Sequence, residues 1–424
     1  MAELSPMMKQ YFSIKERNKD SILFFRLGDF YEMFYEDALI ASRELELTLT
    51  GRDCGQEERA PMCGVPFHSC EGYIAKLVSK GYKVAICEQV EDPATAKGIV
   101  KRDIIRVITP GTVMEQSILD EGKNNYICSL FSINKLISVC FCDISTGELY
   151  ATEISGRDSY SLLINQLASY NPSEILIGGD IVKLKELPTF IKTKLNAGVE
   201  MLEDCKYESG VCETAVKKQF PDDFKYVSDK PVMIASIGAL LNYLLETKMS
   251  GLERINHIQI YSESQYMRLD YNTQRNLELT QTMLTKEKRG SLLWVIDKTR
   301  TAMGKRLIRS WLEHPLMNVL AINNRQSAIE ELVNDTVLRL DLTEALTGIY
   351  DIERLMTRIV YGSANARDLR SLCTAIEPLP ELSRLTHNRN SAYLAKINKH
   401  LDKLEDIYTL IDEAIEDDPP FSVR

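Results

Sequence analysis

The sequence predicts a multidomain chain in which two α/β modules precede an all-helical one. Three observations carry that prediction. Short apolar runs alternate with helix-period segments between residues 20 and 110, β-rich segments fill residues 126–154, and from Asn272 onward apolar residues recur at the spacing of one helix face. A chain of 424 residues is also long enough for two to three domains.

The first module is placed at residues 1–112. SILFFRL (Ser21–Leu27) reads as a strand, YEMFYEDALIASRELE (31–46) as a helix and LTLT (47–50) as a strand. Ser69 is positioned to cap a helix whose Tyr73, Ile74, Leu77 and Val78 share one face, Gly81 stops it, and KVAICEQV returns as a strand. A last strand, DIIRVI, runs into the turn signal Thr109-Pro110-Gly111-Thr112, after which residues 113–125 read as a polar linker.

The second module spans residues 126–252, with turns at Asn134 and Gly147 and a further short strand, EILIG. The third, residues 253–424, carries Leu277 and Leu284 and then the stripes LLWVI, RLIRSWL, AIEELV, IERLMTRIV and LRSLCTAI. Residues 418–424 read as a helix exit toward an extended segment, either a frayed tail or the junction to further chain.

Composition narrows the function classes. Apolar residues at 44% and charged residues at 26% predict a folded chain. The longest mostly apolar run, residues 232–241, is half of the ~20 residues that cross a bilayer, and the amino terminus lacks a signal-peptide layout. A cytoplasmic protein with no membrane partner is the expectation. Ten dispersed cysteines read as reduced thiols. Cys54, Cys63, His68 and Cys70 fit no paired-ligand zinc spacing, so no metal is expected there. The net charge of −10 excludes a uniformly basic nucleic-acid glove. The first module has 15 basic against 17 acidic residues, whereas residues 113–252 have 13 against 19.

Gly28-Asp29-Phe30-Tyr31-Glu32 supports two readings. In one, Asp29 is a helix N-cap, Glu32 completes a capping box, and Phe30 joins Phe34 and Ala38 on a buried stripe. In the other, Phe30 is presented as a wedge between base pairs and Glu32 accepts a hydrogen bond from a base edge.

GDFYEMFYEDA, PMCGVPFHS, KVAICEQVEDPATAKG, RDIIRVITPGT, NTQRNLELTQT and TAMGKRLIRSWLEHPL are similar, in order and nearly end to end, to the MutS family of bacterial DNA mismatch-repair proteins. The resemblance implies a mixed-sheet α/β mismatch-recognition domain, an RNase H-like α/β connector and the start of a helical core and lever. It implies that Phe30 stacks beside a mispaired base from the minor groove, that Glu32 hydrogen-bonds that base, and that Arg52 contacts backbone or groove. The prolines of PMCGVP shape the domain, and His68 sits at a helix start rather than ligating. The implied partners are duplex DNA with mismatches or small loops, a second copy in the full-length dimer, and the downstream repair protein MutL.

The same resemblance places an ATPase, with its ATP and Mg²⁺, in a later part of the chain. Here Gly304-Lys305 is followed by Arg306, with Thr299 where a phosphate-binding loop needs its first glycine, so no cofactor and no catalysis are expected of these residues. Two alternatives stay open. Asp143, after an apolar strand, resembles the strand-end acid of an RNase H-like metal-dependent nuclease, with Glu148, Glu174 and Asp180 as recruitable partners. The other is an interaction platform that does not bind DNA and buries Phe30 in its core. With no basic excess on the first module, DNA binding by these residues alone is expected to be weak and salt-sensitive.

Overall fold

The computed structural model describes residues 4–420 apart from 56–57, 92–97, 116, 248 and 250. Residues 92–97 of the KVAICEQVEDPATAKG segment and residues 421–424 of the tail therefore lie outside the described residues. Two compact units divide the chain. One comprises residues 1–119, 125–133 and 172–250, the other residues 120–124, 134–171 and 251–424.

The first unit opens with α1 (Pro6–Glu16), whose N-cap Ser5 accepts from the Met8 amide and whose Pro6 fits the first helical position. There follow β1 (Ser21–Leu27), β2 (Phe30–Phe34), α2 (Tyr35–Leu45), β3 (Thr50–Arg52), β4 (Ala60–Pro66), α3 (Cys70–Ser79), β5 (Lys83–Gln89) and β6 (Arg102–Ile108). The six strands form one mixed sheet in the order β3-β4-β2-β1-β5-β6, with β1 and β5 parallel and the other pairs antiparallel.

Strand β1 is apolar on both sides because the sheet is covered on both sides. Ile22 and Phe24 pack with Ala38, Ala41 and Leu45 of α2 and with Ile74, Leu77 and Val78 of α3. Leu23 and Phe25 pack with Met8, Tyr11 and Ile14 of α1, and with Phe34. Asp37 is buried in this module and satisfied by Tyr11 Oη at 3.2 Å, Lys15 Nζ at 2.8 Å and the Leu23 amide at 3.0 Å.

Two sequence expectations are corrected here. The helix expected over 31–46 begins only at Tyr35, because FYEMF forms β2 between β1 and β4. Asp29 is therefore a turn residue rather than a helix cap, and Phe30 lies on a strand. Of LTLT, only Thr50 enters a strand, while Leu47 packs against the core on the α2 side. Of the cysteines whose spacing fits no zinc site, Cys54 lies in the core on the α1 face and Cys63 in the core on the opposite face.

Beyond the first sheet, the chain runs through β7 (Tyr126–Ile133), β8 (Leu136–Asp143), β9 (Glu148–Ile154), α4 (Ser159–Tyr170), β10 (Glu174–Gly179), α5 (Glu186–Phe190), β11 (Gly198–Met201), α6 (Ser209–Gln219) and α7 (Pro231–Glu246). Within the first unit, β10 lies parallel between β7 and β11. Helix α7 is buried nearly all round, which explains its unbroken apolar sequence. Among the described residues no helix is long and apolar enough to cross a membrane.

The second unit holds the β8–β9 hairpin, in which Asp143 faces Glu148, with β12 (Gln259–Ile260) parallel to β9. The rest is helical: α8 (Tyr271–Asn276), α9 (Leu292–Ile296), α10 (Ala302–Glu313), α11 (Val319–Asn334), α12 (Thr336–Ala345), α13 (Ile352–Tyr361), α14 (Ala366–Ile376), α15 (Leu379–Thr386), α16 (Ala392–His400) and α17 (Glu405–Ala414). Leu355, Leu372, Cys373, Ile376, Leu382 and Ile411 build its core, as the 3.6-residue apolar spacing requires. Arg306 is buried here and grips Asp351 with two nitrogens, at 2.6 and 2.8 Å, while also pairing with Glu353 at 2.6 Å.

Candidate nucleic-acid interface

The first unit presents an aromatic at the tip of a hairpin. Leu27 pairs with Phe30 across the two-residue turn Gly28-Asp29. Gly28 has φ +56 and Asp29 is not among the positive-φ residues, the arrangement of a type II′ turn, whose first position favours glycine. The Phe67 amide donates to the Asp29 carbonyl at 3.0 Å, tying the turn to the end of β4.

Strand alternation then decides what is shown and what is hidden. Phe30, Glu32 and Phe34 share one sheet face. Phe34 is sealed under α1, edge-on to Tyr11 at 5.2 Å between ring centres. Phe30, four residues back toward the tip, is 47% exposed. A ring of that size left in solvent at a tight turn is the informative observation, since Phe normally buries.

Glu32 lies between them, opposite Phe25 on β1 and Gly64 on β4. Its carboxylate pairs with the Arg52 guanidinium on the edge strand β3; the Glu32 side chain is 15% exposed and that of Arg52 37%. The three residues singled out in the sequence thus fall on one face of one sheet, and the structure joins two of them in an ion pair.

Supporting groups around the tip carry little warning in the sequence. The Arg26 guanidinium stacks on the Phe67 ring, 3.5 Å from its centre, donates to the Gly28 carbonyl at 2.5 Å and pairs with Glu88 at 3.2 Å. Tyr31 donates to the same Glu88 carboxylate, and burial together with Glu88 raises its phenol above the usual range. Arg102 donates to the Arg26 carbonyl at 2.7 Å. The available signal was the Gly-Asp pair between two apolar runs, a hairpin pattern obscured by the helical period that follows it. His68 falls in a single 3-10 turn at Phe67–Ser69, immediately before α3.

The second unit contains Asp143 and Glu148 of the nuclease reading, whereas Glu174 and Asp180 belong to the first, where Asp180 pairs with Lys183. Asp143 is fully buried. Its Oδ1 accepts from the Ser145 amide at 2.9 Å and hydroxyl at 2.7 Å, and its Oδ2 accepts from Asn124 Nδ2 at 2.9 Å. The same Asn124 nitrogen donates to Glu148 at 2.9 Å, and Tyr150 Oη donates to Glu148 at 3.2 Å. Burial, reinforced by Asp143 and Glu353, pushes the Glu148 carboxyl up to about 7. In the first unit, Glu174 is also buried, accepting from Thr109, from the Gly111 amide at 3.0 Å and from Tyr243 Oη at 2.6 Å. These oxygens serve internal donors. Among the described residues, no group of three or more His, Cys, Asp or Glu side chains is arranged to hold a metal ion.

Nor does a phosphate cradle form at Gly304-Lys305. Both lie in the first turns of α10, where the Gly304 amide donates to Thr301 Oγ1 at 3.0 Å and Lys305 pairs with Glu121 at 3.1 Å. The Gly304 amide and the Lys305 ammonium are thus engaged by groups of the second unit.

Family models described as MutS domain I, MutS domain II and MutS domain III match residues 5–117, 125–259 and 272–424. The chain is 47% identical over 424 residues to the DNA mismatch repair protein MutS of Acetivibrio thermocellus, covering 100% of this chain and 49% of that protein. It is 48% identical over 424 residues to the MutS of Ruminiclostridium cellulolyticum, with the same coverage, and 47% identical over 433 residues to that of Clostridium novyi, covering 99% of this chain and 46% of that protein. It spans about half the length of these curated relatives.

Proposed function

The chain belongs to the MutS family, and from that premise we propose that its first module reads mispaired or unpaired bases in duplex DNA by inserting Phe30 into the base stack. The observation that carries the reading is the Phe30 ring, exposed at a pinned hairpin tip while its strand neighbour Phe34 is sealed. A mispaired step is weakly stacked, so the few kcal/mol needed to unstack it are smallest at the defect. Every base has a π-face, so one phenyl ring serves many mispairs, with stacking worth ~1–3 kcal/mol per base. Glu32 accepts a hydrogen bond from the displaced base, and Arg52 meets the sugar-phosphate backbone.

In this reading the chain senses and does not catalyse. Dimerisation, recruitment of MutL, an ATP- and Mg²⁺-dependent switch and action at the nucleoid in the cytoplasm are activities of the full-length protein. The RNase H-like connector fold is retained as part of the proposal, without its nuclease chemistry, because Asp143 and Glu148 are committed to Asn124, Ser145 and Tyr150. The platform reading required Phe30 in the core, and the exposure of that ring argues against it.

The test is duplex binding by the full-length protein with Phe30→Ala. Preference for a mismatched over a matched duplex should fall by roughly tenfold or more, as expected from losing ~1–3 kcal/mol of stacking. Unchanged preference would remove the wedge.

A further inference from the structure

We propose that Arg52 is the counter-ion of Glu32 and that the two exchange partners on DNA, so that their ion pair sets how well matched duplex is rejected. The inference rests on the reading above and assigns Arg52 a positioning role that a backbone contact alone does not include.

The geometry carries it. Arg52 is on the edge strand β3 opposite Ala60, and Glu32 is two strands away on β2, opposite Gly64. Ala60 and Gly64 stand on the same face of the intervening strand β4. They present only a methyl and a hydrogen directly opposite the two charged residues, and Met62 between them packs down against the α1-side core. A Cβ at Gly64 would crowd the Tyr31 carbonyl at 3.3 Å and lie in ordinary contact with Glu32 Cγ at 3.5 Å, so a side chain longer than alanine's there would meet the acid's stem. The more exposed member of the pair is the cation and the more covered one is the carboxylate. An approaching polyanion therefore meets the guanidinium first.

Charge then gives the sequence of events. A bare carboxylate on a surface that must lie against phosphates repels them. Paired with Arg52, Glu32 is neutralised, and non-specific contact with duplex proceeds. Arg52 has five N–H donors and only one end is needed for Glu32, so a phosphate can take the guanidinium away. Glu32 then needs a new donor. A base displaced by unstacking frees a Watson–Crick N–H that supplies one, whereas in an intact pair those donors are held by the partner base and Glu32 returns to Arg52.

A double-mutant cycle in the full-length protein tests this. Affinities for matched and mismatched duplexes are measured against salt for Arg52→Ala, Glu32→Gln, their combination and Arg52→Lys. Arg52→Ala should weaken matched-duplex binding about tenfold when Glu32 is present and only about threefold when Gln occupies position 32, because the phosphate contact is lost in both backgrounds but the unmasked repulsion only in the first. Arg52→Lys keeps the charge and should stay within about threefold of the parent. Equal losses from Arg52→Ala in both backgrounds, or a lysine variant as weak as the alanine one, would overturn the exchange. Phe30→Ala measured alongside separates the two claims. Lost discrimination there with an additive cycle sinks only the role of Arg52, whereas retained discrimination sinks the recognition reading itself.

Discussion

Replacing Glu148 by Gln probes the buried carboxylates of the second unit through pH. Burial, then Asp143 and Glu353, raise the Glu148 carboxyl from 4.5 to about 7. A carboxyl whose folded pKa lies above its unfolded value takes up a proton on folding. Its contribution to stability is complete below pH 4.5 and is lost as pH rises through about 7. The shift corresponds to roughly 3 kcal/mol at about 1.4 kcal/mol per unit, of which about 2 kcal/mol disappears between pH 5.5 and 8.5. Gln is neutral throughout, so the variant should gain about 2 kcal/mol relative to the parent across that interval. The chain's two tryptophans, Trp294 and Trp311, lie in the same unit as Glu148, so urea unfolding followed by tryptophan fluorescence reads the relevant transition. A stability difference that is the same at both pH values would show that Glu148 titrates like a solvated carboxyl and would refute the burial argument.

Two further outcomes follow from the first unit. Glu174→Ala removes the acceptor for the Thr109 hydroxyl, the Gly111 amide and the Tyr243 hydroxyl, and stranding buried donors at ~1–3 kcal/mol each should lower the unit's stability by about 3 kcal/mol or more, measured by hydrogen exchange of the 109–112 turn; a loss under about 1 kcal/mol would mean that water replaces the carboxylate. Gly28→Ala has open space for its Cβ but an unfavourable φ of +56, so it should destabilise by about 1 kcal/mol through the backbone alone, and Gly28→Asn should recover part of that in thermal unfolding.

Much of the fold is legible from residue pattern. The apolar runs of β1, β5 and β6 and the α3 stripe at Ile74, Leu77 and Val78 fall where the sequence places them, and so does the change to a helical period. FYEMF is different. Its residues satisfy a helical stripe with Ala38 as well as they satisfy strand alternation, and the decision belongs to β1 and β4, which hydrogen-bond it from both sides. For the same reason the Asp29 capping box, sound as a local pattern, gives way to a turn.

The candidate site divides in the same way. Phe30, Glu32 and Arg52 are singled out by the family motif, but the ion pair between positions 32 and 52 is not, because it joins side chains two strands apart across a third. Composition and periodicity determined the module types, since local propensity and apolar spacing are written along the chain, while the resemblance singled out Phe30, Glu32 and Arg52. Which ring meets solvent and which carboxylates are spent on internal donors was decided by tertiary packing. Exposure and neutralisation depend on neighbours distant in sequence, and strand order and helix cover bring those neighbours together.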